Sequence, residues 1–189
     1  MAEPAHARLA VAAPLAGITL PEGPGYRLRP WPLASIALAA WPDAAAADPL
    51  RASSRDSGPA MLRAREEGGR VLMRLGPQEV LIVTETEATT AGELEFLEEN
   101  VIEISHGMLG LCVDGAHAAA VLAAGCPIDV HELAFPVGMA TRTLIGKFEI
   151  ILWRRSATEF RLLVARSSIF AFLVYADRVF RGAPPGSLA

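Results

Sequence analysis

Long apolar runs, cysteine, excess basic charge and aromatic side chains are all scarce in this chain of 189 residues. The longest stretch without a charged side chain, residues 115–128, has 14 residues and includes His117 and Pro127. A membrane-spanning helix needs roughly 20 consecutive apolar residues, so no stretch of this sequence has the required length. Lys and Arg number 17 against 21 Asp and Glu, a net charge of -4. Such a balance gives no general attraction to a phosphate backbone and argues against nucleic acid as a partner. The two cysteines, Cys112 and Cys126, are too few to staple a disulfide-built fold, and reduced thiols in a cytoplasmic chain are expected. A secretory leader is not expected either: residues 9–17 are apolar, but Glu3 stands where basic charge belongs and Pro14 interrupts the run.

Aliphatic content, by contrast, is high: 52% of residues are hydrophobic and the mean hydropathy is +0.33. A chain of this length can bury about 70% of its extended surface and support one full core. Composition predicts an extended arm over residues 1–32, broken by Pro21, Pro24, Pro30 and Pro32, which is either a free tail or a docking segment. A domain follows over residues 33–182, as one unit or as two small lobes parting near residue 100, and residues 183–189 form a tail.

Local patterning fills in that domain. A buried strand is expected at 35–41, an Ala-rich helical turn capped by Asp43, and a surface loop over 53–69. Residues 70–75 and 79–84 are aliphatic runs flanking Gly76, Pro77 and Gln78, the chemistry of a hairpin. A helix is expected from Thr90 to Asn100, then a single strand over 101–113 kinked by a bulge at His106 and Gly107. Asp114 and Gly125 supply the two ends of a short helix over 116–124, and a long loop follows over 126–137. A second hairpin turns at Gly146 and Lys147, a further strand covers 160–164, and the last helix runs over 168–181. In that helix Ile169, Phe172, Leu173, Ala176, Val179 and Phe180 repeat at three-four spacing. Hairpin-paired strands with helices on one face make an α+β sandwich.

Chemistry-bearing motifs are sparse. No phosphate-binding glycine loop, serine nucleophile elbow or H-E-x-x-H helix occurs in the sequence. Cys112, His117, Cys126, Asp129 and His131 are ligand types that zinc favours, but no C-x-x-C clip or H-x(3-5)-H pair nucleates a site. Buried thiols with surface or loop histidines account for these five better than a metal does, and better than a nucleophilic Cys126 served by His131. His106, at the strand interruption, either bonds the loop backbone or reaches a partner chain. Arg142 and Arg166 are either anchors for another chain's carboxylates or solvated. No catalytic, cofactor-binding or metal-ligating residue is therefore assigned; His106, Arg142, Arg166, Cys126, Asp129 and His131 are candidate interface or structural residues. Apolar content around Trp31, Trp41 and Trp153 is expected to supply subunit-contact surface.

Several strings carry a resemblance. Leu75-Gly76-Pro77-Gln78-Glu79-Val80-Leu81-Ile82, Ile104-Ser105-His106-Gly107, Gly125-Cys126-Pro127-Ile128-Asp129-Val130-His131, Ala134-Phe135-Pro136-Val137-Gly138, Thr143-Leu144-Ile145-Gly146 and Ala165-Arg166-Ser167-Ser168 follow one another in order. Together they resemble the gamma subunit family of heterotetrameric sarcosine oxidase, over residues 70–180. Gln78 departs from the aspartate more often expected there, and the first third is the looser match. The resemblance implies a fold related to the folate-binding aminomethyltransferase domain, in a subunit assembled with alpha, beta and delta chains. It also implies a complex that oxidatively demethylates sarcosine to glycine, passes the methyl carbon to tetrahydrofolate or releases it as formaldehyde, and forms hydrogen peroxide. FAD, FMN and NAD are implied for the alpha and beta chains, zinc for delta, and no cofactor for this chain. Two alternatives stand beside it. One is the equivalent subunit of an N-methylglutamate dehydrogenase complex; fold kinship does not fix the substrate. The other is a stand-alone folate-binding protein of the iron-sulfur maintenance type, from whose lysine-glycine-cysteine-aromatic string Ala124-Gly125-Cys126-Pro127 departs.

Overall fold

The computed structural model describes residue 15 and residues 17–40, 59–85 and 101–182. Eleven strands occur there: β1 (Glu22–Gly23), β2 (Tyr26–Pro30), β3 (Ser35–Ala40), β4 (Ala64–Glu67), β5 (Arg70–Gly76), β6 (Glu79–Thr84), β7 (Val101–Glu103), β8 (Met108–Asp114), β9 (Ala140–Ile145), β10 (Phe148–Arg154) and β11 (Glu159–Ala165). Two helices accompany them, α1 (Ala118–Ala123) and α2 (Ile169–Gly182). The strands make a six-stranded sheet in the order β1-β2-β8-β11-β10-β9 and a five-stranded sheet in the order β4-β5-β6-β3-β7. Every pairing is antiparallel.

Side-chain alternation explains the layering. Successive residues of a strand point to opposite faces, and in β10 Phe148, Ile150 and Leu152 join one core while Ile151 and Trp153 join another. In β11 Phe160, Leu162 and Val164 face the first core and Leu163 the second. The first core packs under α1 and α2 and takes Ile169, Phe172, Leu173, Ala176 and Phe180 from the last helix. The second lies between the two sheets and takes Ile36, Val71, Met73, Leu81 and Val83 from the five-stranded one. Helices, six-stranded sheet and five-stranded sheet thus form three layers. A sheet covered on both faces requires near-continuous apolar strands, and the string Phe148-Glu149-Ile150-Ile151-Leu152-Trp153 meets that need.

Both expected hairpins form, β5 to β6 and β9 to β10. Gly146 turns the second with φ +59°, and a Cβ there would lie 2.3 Å from Tyr175 Cζ, so the turn and the close ring both demand glycine.

Several expectations are corrected. Part of the predicted arm, residues 22–30, forms β1 and β2 within the six-stranded sheet. Tyr26 and Leu28 enter the core under the helices while Arg27 and Arg29 point away, so Pro24 and Pro30 mark a turn and a strand end instead of breaking the element. Residues 64–67, expected in a loop, pair as β4 on β5. Residues 101–113 are two strands in different sheets, not one bulged strand. The 3-10 turn Ser105–Gly107 carries the chain across, and buried Ser105 pins it: its Oγ accepts from Ile36 N at 2.8 Å. Asp114 does not cap α1, whose N-cap is His117 with no side-chain cap bond; its carboxylate pairs with Arg27 and Arg29. Trp31 and Trp153 offer no contact surface, being 3% exposed and packed on each other at 6.0 Å between centroids. Trp41, the Asp43 turn and the Thr90 helix lie outside the described residues.

Candidate functional site

The 126–137 loop holds three of the six candidate residues, and their bonds run inward to the chain itself. Cys126 is buried with its Sγ 3.6 Å from Thr143 Oγ1. Asp129 Oδ1 accepts from His131 N at 2.8 Å, and His131 Nδ1 accepts from Leu133 N at 3.3 Å. The His131 carbonyl then accepts from Ala134 N and Phe135 N. Aspartate and histidine therefore do turn chemistry here, bonding backbone two residues on. Val130 and Phe135 anchor the loop in the core.

Beneath it lies a residue that sequence reasoning missed. Arg154, only 4% exposed, donates to four carbonyls: Val130 at 3.4 Å and Phe135 at 3.1 Å from Nη1, Ala157 at 3.0 Å from Nη2 and Ser156 at 3.3 Å from Nε. Its guanidinium also stands 5.1 Å from the Phe160 ring centroid. A buried cation requires acceptors of this kind close around it. The signal available in sequence was the arginine pair Arg154-Arg155 ending an apolar strand, which reads equally as a solvated strand end.

The other candidates fall elsewhere. His106 and Arg166 sit in two 3-10 turns that pack together, Ser105–Gly107 and Arg166–Ser168. His106 is exposed while its neighbour Ser105 makes the backbone bonds. Arg142 on β9 forms a two-pronged ion pair with Glu79 on β6, its Nη1 2.7 Å from Oε2, and so ties the two sheets together. The pair borders a groove of about 380 Å³ lined also by Leu38, Gly76, Pro77 and Gln78.

Cys112 and His117 belong to different places again. His117 Nδ1 lies 3.2 Å from Pro24 O. The Cys112 thiol is buried toward the five-stranded sheet, where Arg161 pairs with Glu159 at 2.6 Å and stands 5.1 Å over Trp31. Arg29 and Arg155 also reach Glu159, at 3.6 and 3.5 Å, and Trp31 Nε1 donates to Glu85 at 2.7 Å. Burial pushes the Cys112 thiol up to about 12 despite nearby Arg161, so it is a neutral thiol at physiological pH and a poor nucleophile. Burial raises the Glu159 carboxyl, but Arg161, by charge and hydrogen bond, and Arg155 outweigh it and hold Glu159 below the ordinary carboxylate value. Among the described residues no three His, Cys, Asp or Glu side chains gather as a metal site.

This architecture has known counterparts. A glycine cleavage system aminomethyltransferase T from Bartonella henselae superposes with a TM-score of 0.57 at 15% identity, over 80% of this chain and 45% of that one. The fold class is therefore the aminomethyltransferase type that the resemblance implied. A chain of the heterotetrameric sarcosine oxidase from Corynebacterium sp. U-96, solved in complex with pyrrole 2-carboxylate, superposes with a TM-score of 0.75 at 24% identity, covering 96% of this chain and 99% of that one. Residues 43–179 match the model of the sarcosine oxidase, gamma subunit family, and the chain belongs to that family. Sarcosine oxidase subunit gamma of Corynebacterium sp. strain U-96 is 31% identical over 104 residues, 53% of this chain and 51% of the relative. The protein of the same description from an Arthrobacter species is 31% identical over 99 residues. The chain spans about half the length of the curated relatives it matches.

Proposed function

We propose that this chain is the gamma subunit of a heterotetrameric sarcosine oxidase, a non-catalytic part needed for assembly or stability of the complex. The observation that carries the reading is the family match over residues 43–179. In this reading the complex demethylates sarcosine to glycine with transfer of the one-carbon unit to tetrahydrofolate and formation of hydrogen peroxide. The partners are the alpha, beta and delta chains, which hold FAD, FMN, NAD, tetrahydrofolate and zinc. The family strings support a scaffolding role, because several resolve into fold-building contacts. Ser105 pins a crossover, Asp129 and His131 build a loop, and Gly146 turns a hairpin. His106 and Arg166, on two 3-10 turns that pack together, are interface residues in this scheme.

Co-expression with alpha, beta and delta chains from the same genome tests the proposal. A tagged copy of this chain should bring down all three, and the product should release peroxide when given sarcosine and oxygen. Recovery of this chain alone, as a monomer, defeats the reading. Turnover of N-methylglutamate with dye acceptors and no peroxide from sarcosine would move the chain to the dehydrogenase complex.

A further inference from the structure

The 126–137 loop is held rigidly from within, yet it carries the most exposed large apolar side chain among the described residues. Leu133 is 87% exposed and Val137 is 52% exposed. Both lie in a segment whose backbone is fixed by Asp129, His131 and Arg154 and whose Val130 and Phe135 are fully buried. A leucine on a fixed support loses little freedom when it is captured, so its burial is available to association. The same loop has two exposed carboxylates, Asp129 and Glu132, and no Lys or Arg between residues 126 and 137.

We propose that this loop is the docking point for a different protein chain, one with an apolar recess for Leu133 bordered by basic side chains; this rests on the reading of the chain as a subunit. Charge decides the kind of occupant. An isologous contact centred on this loop would bring Asp129 and Glu132 close to the same residues of the other copy, and like charges brought together oppose association. Anionic lipid is repelled for the same reason. A chain with a basic rim gains both apolar burial and steering. Arg154 offers no exposed charge here, because it is buried and its donors go to inward-facing carbonyls of the loop and of the adjoining turn.

The test titrates wild-type chain and its variants against co-expressed alpha, beta and delta chains prepared without it. Leu133→Asp and Leu133→Ser, both at an exposed position, should melt with the wild type and bind about 10- to 100-fold more weakly. Glu132→Lys should also bind more weakly, with association that no longer slows as salt is raised. Either leucine variant binding within about threefold of wild type overturns the docking proposal and leaves the subunit reading intact. Full affinity in Glu132→Lys overturns the basic rim. Wild type that does not bind at all defeats the subunit reading and the docking point with it.

Discussion

Replacing Arg154 by methionine isolates the contribution of one buried cation to the loop that carries parts of two of the family's strings. Methionine keeps an unbranched apolar stem of similar reach and removes every donor. The Val130 and Phe135 carbonyls then lose a charged donor at 3.4 and 3.1 Å in a region that water does not reach. The Ser156 and Ala157 carbonyls, on the adjoining turn, lose partners nearer to solvent. Hydrogen bonds to a charged group are worth about 1.5–3 kcal/mol each, while removing a buried charge returns part of its desolvation penalty. Counting only the two buried carbonyls at the lower figure gives a loss of about 3 kcal/mol. For a chain of this size that is a fall of about 6–12 °C in melting temperature. Arg154→Lys keeps the charge but gives up the planar fork, and about half the loss is expected. Differential scanning calorimetry gives the magnitude, and amide exchange at Leu133, Ala134 and Phe135 shows whether the loop opens first. An Arg154→Met protein as stable as wild type, with unchanged exchange in the loop, would refute the reasoning, because the cation would then be replaceable by apolar packing.

Three further outcomes follow from the same geometry. Neither Cys112 nor Cys126 should react with a disulfide reagent at pH 8 in the folded protein, since both are buried and Cys112 is held near 12; rapid loss of one thiol without denaturant would contradict this. Glu159, depressed in the folded state, adds stability that is present above the unfolded carboxylate value and is lost as pH falls through its folded value. Urea midpoints of wild type and Glu159→Gln should therefore differ at neutral pH and converge in acid, and a pH-independent gap would exclude the ion-pair explanation. Gly146→Ala should lose at least about 2 kcal/mol, because it meets both a positive φ and the Tyr175 ring; a neutral outcome in thermal melting would show that Tyr175 moves aside freely.

Local chemistry made the hairpins legible. Pro77-Gln78 and Gly146-Lys147 stand between aliphatic runs, and α2 announces itself through Ile169, Phe172, Leu173, Ala176 and Phe180. Crossing between layers was not legible. Residues 101–113 read as one strand because a passage from sheet to sheet and a bulge share the same local composition, and only Ser105 bonding to Ile36 distinguishes them. Prolines masked β2, although Tyr26-Arg27-Leu28-Arg29 alternates as a strand with one buried face should. Trp31 and Trp153 looked like surplus apolar surface because a space between two sheets, which they fill, has no one-dimensional signature. At the candidate site the identities of Asp129 and His131 were visible, but their work as turn residues depends on backbone geometry. Arg142 finds Glu79 across 63 positions, a pairing that a single sequence does not specify.

Native mass spectrometry of the co-expressed assembly tests the subunit role most directly. The account predicts one species containing this chain together with alpha, beta and delta chains, which loses its integrity when this chain is omitted. An intact, fully assembled complex of the other three chains, with this protein found only as a free monomer, would contradict it.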